Sequence, residues 1–544
     1  MVLPVPDPTK SYWIEAAESE LRDFRSSEEL PLESDVVIVG SGYAGASTAY
    51  WIHKSTEKQA VQPRMVLLEA RDICGAATGR NGMSLREELA QVNMLSEYSG
   101  GQLRPHAYSR YVPWKERFGA DGAMELIRHE MAHLEAFKVL ADEEGFAEEA
   151  CLKFGETFDA AMTGEAWTRL KGCLDTMTAD HGEDNEIVKL CRVIEDSEEA
   201  TTFTQMKNTL AAIVHPAGQI WPYKFVHALL RIVLKAGNLN LQAHTSAQKI
   251  SERDADGWIT VTTDRGEIRT KAVAHTTNRW ASHLLPEFQK LILGDRATLI
   301  AIKAPEGFIK HTGAQHWDAS VNNYHLQLPP PYNAIILGGG RQFLCHRPED
   351  CFPNDEEDKQ VSGIAEFFQT WPASDVVGWE GPDPAELGKD VNEGGCWTGM
   401  ETSSIDSFPF VGPVPNRDGH FIAAGFAGHG MPRILLSAAH ITPLILDSLN
   451  VEHKMPEMTW KYPALPKPFH ATPERVQHLI ETASVEAKVE AYRKSCEASA
   501  QKPFCNDERS RKALRVLPSS DSAIELSADM KNQRAFVNAI VITA

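Results

Sequence analysis

Asp35-Val36-Val37-Ile38-Val39-Gly40-Ser41-Gly42-Tyr43-Ala44-Gly45 reads as a strand followed by a glycine-punctuated turn. A helix follows through Ala46-Ser47-Thr48-Ala49-Tyr50-Trp51-Ile52, and Arg64-Met65-Val66-Leu67-Leu68-Glu69 reads as a second strand ending in an acid. Gly40 allows a tight turn, Gly42 lets the backbone approach a pyrophosphate, and Gly45 lets helix and strand pack closely. The helix N-terminus that follows the turn Gly40-Ser41-Gly42-Tyr43-Ala44-Gly45 presents N–H groups and partial positive charge to phosphates. Glu69 falls where a carboxylate can accept both ribose hydroxyls, roughly 20 residues on, the small excess absorbed by the polar connection 53–63. GxGxxG alone is weak. The complete strand–turn–helix–strand–acid series predicts a dinucleotide site on an α/β fold.

The chain has 544 residues and a formal charge of -21, with nine cysteines and no CxxC pair. That length allows two to four domains. The acidic balance excludes a nucleic-acid surface, which needs a basic stripe. Scattered cysteines in odd number suit reduced thiols, and no metal-ligand spacing occurs. No apolar run reaches the roughly 20 residues that span a bilayer. Neither a secretory signal nor a peroxisomal address is present, so a cytoplasmic, membrane-free protein is the expectation.

Along the chain, residues 1–33 form a polar lead-in. A helical pattern is expected from Tyr111 to Ile194, with the acidic run 195–199 as a solvated loop or helix end. Pro222-Tyr223-Lys224 opens an amphipathic helix over 225–235, and residues 240–244 read as a strand. Residues 258–263 and 267–269 form a hairpin pattern around Asp264-Arg265-Gly266, and Ala272–His275 is a strand running into Thr276-Thr277-Asn278. Residues 296–345 read as β segments, and Phe421–Phe426 precedes Ala427-Gly428-His429-Gly430 and a helix from 435 to 449.

Taken together, these pieces resemble the D-amino acid oxidase, sarcosine oxidase and glycine oxidase family of FAD-dependent amine oxidoreductases, and within it the fungal FAD-dependent oxidoreductases. The matching stretches are 35–45, Leu67-Leu68-Glu69-Ala70-Arg71, Gly75-Ala76-Ala77-Thr78-Gly79-Arg80-Asn81-Gly82 and Trp221-Pro222-Tyr223-Lys224. Thr276-Thr277-Asn278, Gly338-Gly339-Gly340-Arg341, residues 406–412 and residues 424–431 complete the series. The resemblance implies a discontinuous Rossmann-like FAD-binding domain (34–110, 205–290 and 396–470). It also implies an antiparallel-sheet substrate domain (111–204 and 291–395), with 471–544 as a helix and a poorly ordered tail.

It further implies that Ala70, Arg71, Thr78, Gly79, Arg80 and Asn81 lie along the cofactor, the last two beside the isoalloxazine. Ala247 would meet the adenine, and Thr277 and Asn278 the nucleotide. Gly425, Gly428, His429, Gly430 and Met431 would face the pyrimidine edge of the flavin, where reduction places negative charge that helix-terminal amides stabilise. A turn leading into a helix, with an exposed His429, is the plainer reading. The implied reaction removes a hydride equivalent from the carbon next to a nitrogen, leaving an imine that water hydrolyses. No strong protein base is needed if the amine binds neutral. His429 and Arg341 are the catalytic candidates. Arg341, at a strand end beside three glycines, is either a bidentate carboxylate clamp or one half of a structural salt bridge. Lys224 and Tyr223 rank below it.

Two departures bear on the chemistry. Counting back from Asp406 puts Gly399 where sarcosine oxidases attach FAD covalently through cysteine, with Cys396 out of register, so noncovalent FAD is expected. Their oxygen-activating lysine would fall near Ile336, which leaves dehydrogenation better supported than oxidase activity, with O2 as a candidate acceptor. Residues 83–100 interrupt the flavin loop. They read as a translated intron or as an active-site flap, and transcript sequencing separates the two. The expected partner is a small amine-type molecule. Alternatives are a tailoring dehydrogenase of an alcohol or secondary metabolite, and an inactive family member.

Overall fold

The structure, a computed structural model, describes residues 3–81, 101–380, 395–457 and 462–516. The opening strand forms as read, Val36–Val39, and sits centrally in a six-stranded sheet. Across that sheet lie Phe410–Pro413, His420–Ala424, Ala272–His275, Val36–Val39, Met65–Leu68 and Leu239–Gln242. All pairings are parallel except that of Phe410–Pro413 with His420–Ala424. Alternating residues point to opposite faces. Val36, Ile38, Met65 and Leu67 join the core beneath the helices Tyr43–Thr56, Pro222–Ala236 and Ile434–Ser448. Val37, Val39, Val66 and Leu68 pack instead on a three-stranded antiparallel sheet, Ala247–Ile250, Ile259–Thr263 and Gly266–Thr270.

A second, nine-stranded sheet is antiparallel except where Thr312–His316 runs parallel to Lys153–Ala161. Leu299, Ala301, Leu326 and Ile336 face the core shared with the nucleotide sheet. Ile300, Ile302, Ile335 and Leu337 face a second core. The fold is thus mixed α/β, with one mainly parallel and one mainly antiparallel sheet.

Two expectations are corrected. The stretch 111–194 is not continuously helical: helices Tyr111–Glu144 and Gly164–His181 flank the strand Lys153–Ala161, and Arg192–Ile194 is a further strand. The strand is obscured in sequence because its inward position carries Asp159, a charge in a core. The Arg104 guanidinium and His316 imidazole each reach Asp159 Oδ1 at 2.6 Å, and the Tyr108 hydroxyl donates to Oδ2 at 2.7 Å. Burial works against this charge, yet Arg104 and His316 hold the carboxyl well below its ordinary range. The run 195–199 begins the helix Ser197–Thr204, capped by the Asp196 carboxylate.

The tail expectation also changes for residues 485–516. Val485–Ala500 and Glu508–Ala513 are helices, and Tyr492 and Cys496 are buried in the second core. The stripe that packs carries Lys488, Ala491, Ser495 and Ser499 beside Tyr492 and Cys496, so apolar periodicity gives little warning. Tyr492→Ala should cost about 3 kcal/mol, read as a lower urea midpoint at unchanged slope. Residues from 517 onward, and the 83–100 segment, lie outside the described residues. Among the described residues no helix is long and apolar enough to cross a membrane.

Candidate cofactor and active site

The ends of the parallel strands and the N-terminus of the Tyr43–Thr56 helix open onto one cavity. Gly40 has φ +103°, and Gly45 packs so closely that a Cβ there would overlap the Gly40 carbonyl oxygen. The N-cap residue Gly42 has no side chain with which to cap the helix. The Tyr43 N–H donates to Thr78 Oγ1 at 3.0 Å, which ties the helix start to the 77–80 turn. Glu69 lines the cavity with an oriented carboxylate. Its Oε2 accepts from the Ser41 N–H (3.0 Å) and hydroxyl (2.7 Å), and its Oε1 from the Arg71 N–H (3.1 Å).

A second wall comes from the turn between His420–Ala424 and Ile434–Ser448. Asn278 Oδ1 accepts from the N–H groups of Gly425 (2.9 Å) and Phe426 (3.4 Å), and Thr402 Oγ1 accepts from the Ala427 N–H (3.2 Å). Gly428, Gly430 and Met431 line the cavity beyond these anchors. The cavity wall also holds buried polar atoms without a partner among the described residues: both amide atoms of Asn81 and the Thr277 hydroxyl. Buried polar groups are nearly always satisfied, so these atoms mark where a polar ligand belongs.

Of the residues named from sequence, Gly40, Gly42, Tyr43, Ala44, Glu69, Ala70, Thr78, Asn81, Ala247, Thr277, Asn278, Gly428, Gly430 and Met431 line this one cavity. Gly45, Arg71, Gly79, Arg80, Gly425 and His429 do not. Gly45 and Gly79 are packing positions: a Cβ at Gly79 would overlap the Cys74 carbonyl oxygen. Arg71 donates to the Glu357 carboxylate at 2.9 Å. Arg80 is buried behind the wall, donating to the carbonyls of Gly75 (3.0 Å) and Thr398 (3.1 Å), and burial brings its guanidinium down to about 10.

Neither catalytic candidate lines the cavity. His429 is 0% exposed, so the exposed-histidine reading fails as well. Its Nε2 lies 3.0 Å from Glu130 Oε2, and its ring stacks on His106 with centroids 4.2 Å apart. Glu130, fully buried on the Tyr111–Glu144 helix, also takes Arg433 Nε at 2.9 Å and the His106 N–H at 2.8 Å. Burial pushes this carboxyl upward, but His429 and Arg433 overcome it and bring it to about 2. Arg341 lies in the second core, donating to the Tyr492 hydroxyl at 2.6 Å, with its guanidinium 5.1 Å from that ring. This geometry serves the C-terminal helix rather than a clamp in the cavity. Lys224 contacts the Trp221 and Tyr332 rings.

Sequence reading missed Trp280, His283 and Leu284, which line the cavity just after the Asn278 turn. Their spacing from Asn278 was the available signal. It also missed Thr402 and, in the lead-in, Leu3 and Pro4, for which no motif speaks.

A model of the family described as FAD-dependent oxidoreductases (DAO) matches residues 35–444. Among solved structures, L-amino acid deaminase from Proteus vulgaris, with its specific insertion sequence deleted, aligns at TM-score 0.55 and 16% identity. It covers 83% of this chain and 97% of its own. L-proline dehydrogenase from P. horikoshii aligns at TM-score 0.54 and 17% identity, covering 78% and 96%. The FAD-bound L-α-glycerophosphate oxidase from Mycoplasma pneumoniae aligns at TM-score 0.53 and 12% identity, covering 79% and 97%. None of the curated proteins compared matches by sequence.

Proposed function

This chain belongs to the FAD-dependent oxidoreductase family, and from that premise we propose that it oxidises the carbon–nitrogen bond of an amine, amino acid or other nitrogen-containing metabolite. The observation that carries the reading is the single cavity joining a helix N-terminus, an oriented acid and a second, glycine-rich turn. One end suits a dinucleotide's phosphates and ribose, and the other offers backbone N–H groups to a redox ring. A nicotinamide-only site would leave the Gly428–Met431 wall without a task.

FAD, when bound, supplies the acceptor for a hydride equivalent leaving the carbon next to nitrogen. The chain's residues do the holding. The helix start at Gly42–Ala44 takes the pyrophosphate, Glu69 the ribose, and Ser246 and Ala247 the adenine. The N–H groups of Gly428, Gly430 and Met431 take the pyrimidine edge. His429 acts by position, its side chain turned inward to Glu130 while its neighbours form the wall.

The preference for nitrogen over oxygen draws on neighbours that share the fold, an L-amino acid deaminase and an L-proline dehydrogenase. Alcohol oxidation is the second reading, because a glycerophosphate oxidase shares the fold too. Anaerobic titration separates them. An amine or amino acid should bleach the yellow protein, and peroxide on readmitting air marks O2 as acceptor. If no amine bleaches it while an alcohol does, the first reading is lost.

We also infer that FAD is held without a covalent bond. No described residue lining the cavity is a cysteine. A Cβ at Gly399 would overlap the Arg80 carbonyl oxygen, and burial pushes the Cys396 thiol far up, away from the nucleophilic thiolate. Acid precipitation should leave the yellow colour in the supernatant. A yellow pellet would overturn this.

A further inference from the structure

We propose that residues 3–10 are part of the cofactor site: a strap that closes the cavity and sets how fast FAD leaves, pinned by Glu357 as a positioning residue. The proposal rests on the FAD reading above.

Leu3 and Pro4 line the cavity, although they stand more than thirty residues ahead of the nucleotide motif. The Val5 carbonyl accepts from Arg71 Nη1 at 3.0 Å, and the same nitrogen donates to Glu357 Oε2 at 2.9 Å. The Arg71 backbone N–H in turn donates to Glu69, the acid at the end of the second strand. Strap and ribose-binding acid therefore meet at one residue.

The far end of the strap is anchored firmly. The Thr9 N–H donates to the Glu357 carbonyl at 2.9 Å, and Thr9 Oγ1 accepts from the Thr398 N–H at 2.9 Å. The Ser11 hydroxyl donates to the Gly79 carbonyl at 2.7 Å, beside the flavin loop. Trp13 follows, fully buried, with its ring edge-on to Trp221 at 5.5 Å between centroids.

The near end is held lightly. Leu3 is 41% exposed, and Pro6 and Asp7 are exposed as well. Segments with few buried apolar contacts open locally at small cost without unfolding the rest. Prolines at 4, 6 and 8 restrict the free conformations of this stretch, so closing it costs less entropy. Thr9 is the hinge. Glu357 is fully buried, and its second oxygen has no partner among the described residues. Its carboxylate holds Arg71 while its carbonyl holds Thr9, so it fixes both ends of the closed strap.

The test compares FAD release, followed by the rise of flavin fluorescence on dilution of the holoprotein, in the intact chain and in one beginning at Thr9. The double variant L3G/P4G keeps the chain length and serves if the shortened chain does not fold. Release should be about tenfold faster in either, with the visible spectrum of the bound flavin unchanged. E357Q should speed release in the intact chain and add nothing in the strapless one, the non-additivity expected of residues acting as a unit. Equal release from strapped and strapless proteins overturns the strap. Equal acceleration by E357Q in both overturns Glu357's role in it. An intact chain that takes up no FAD overturns the cofactor reading, and the strap with it.

Discussion

Gly45→Val should yield a colourless protein. A Cβ at this position would overlap the Gly40 carbonyl oxygen and come within 2.9 Å of Thr276 Oγ1. Both obstacles belong to the phosphate turn and to the strand end that supports it. Relief requires the Tyr43–Thr56 helix to move away from the strand, which takes its N-terminal amides out of register with the pyrophosphate proposed to bind there. Overpacking of this kind costs about 1–3 kcal/mol in folding, which a chain of this size can survive. Ligand binding at a site defined to tenths of an ångström cannot. Gly155→Ala is the control, because nothing lies within 4 Å of a Cβ there. The expected measurement is flavin absorbance per mole of purified protein: near zero for Gly45→Val, and unchanged for Gly155→Ala. Full flavin content in Gly45→Val would mean that close helix–strand packing does not shape the site.

The second large effect is expected at Glu130. Its carboxylate joins the Tyr111–Glu144 helix to both flanks of the wall turn, through His429 and Arg433. Glu130→Ala removes the carboxylate from a fully buried guanidinium, and breaking a buried ion pair from one side costs about 3–5 kcal/mol. Glu130→Gln keeps the shape and removes the charge, so it separates electrostatics from packing. The folded carboxyl sits near 2 against an ordinary 4.5. A depressed carboxyl gives stability that is fully present above the unfolded value and fades as pH falls through the folded one. At about 1.4 kcal/mol per unit, the contribution at neutral pH is on the order of 3 kcal/mol. Urea unfolding of the parent and Glu130→Gln should therefore differ most at pH 6, with the gap narrowing towards pH 3. A gap independent of pH would show that the carboxylate is not the charged keystone described here.

Much of the nucleotide half was legible in the sequence, because its information is contiguous. The strand Val36–Val39, the turn, the acid at Glu69 and the strand Ala272–His275 each announce themselves within a few residues. The cavity-facing role of Gly428, Gly430 and Met431 followed from the resemblance and from the chemistry of helix-terminal amides. The strand Lys153–Ala161 was hidden because its buried Asp159 imitates a surface position until Arg104, Tyr108 and His316 are brought to it. The helix Val485–Ala500 was hidden because a lysine, an alanine and two serines occupy most of its packed stripe.

By itself the sequence determined the family, the α/β class and the stretches around Gly40 and Glu69 that line the cavity, since turn glycines and strand alternation act between near neighbours. Only the tertiary structure decided which way the functional side chains point. His429 turns to a glutamate 299 positions away, Arg341 to a tyrosine 151 positions away, and Leu3 and Pro4 fold over a cavity built by later segments. A side chain's direction is set by the partners that packing brings to it, and those partners lie too far along the chain for any local pattern to record.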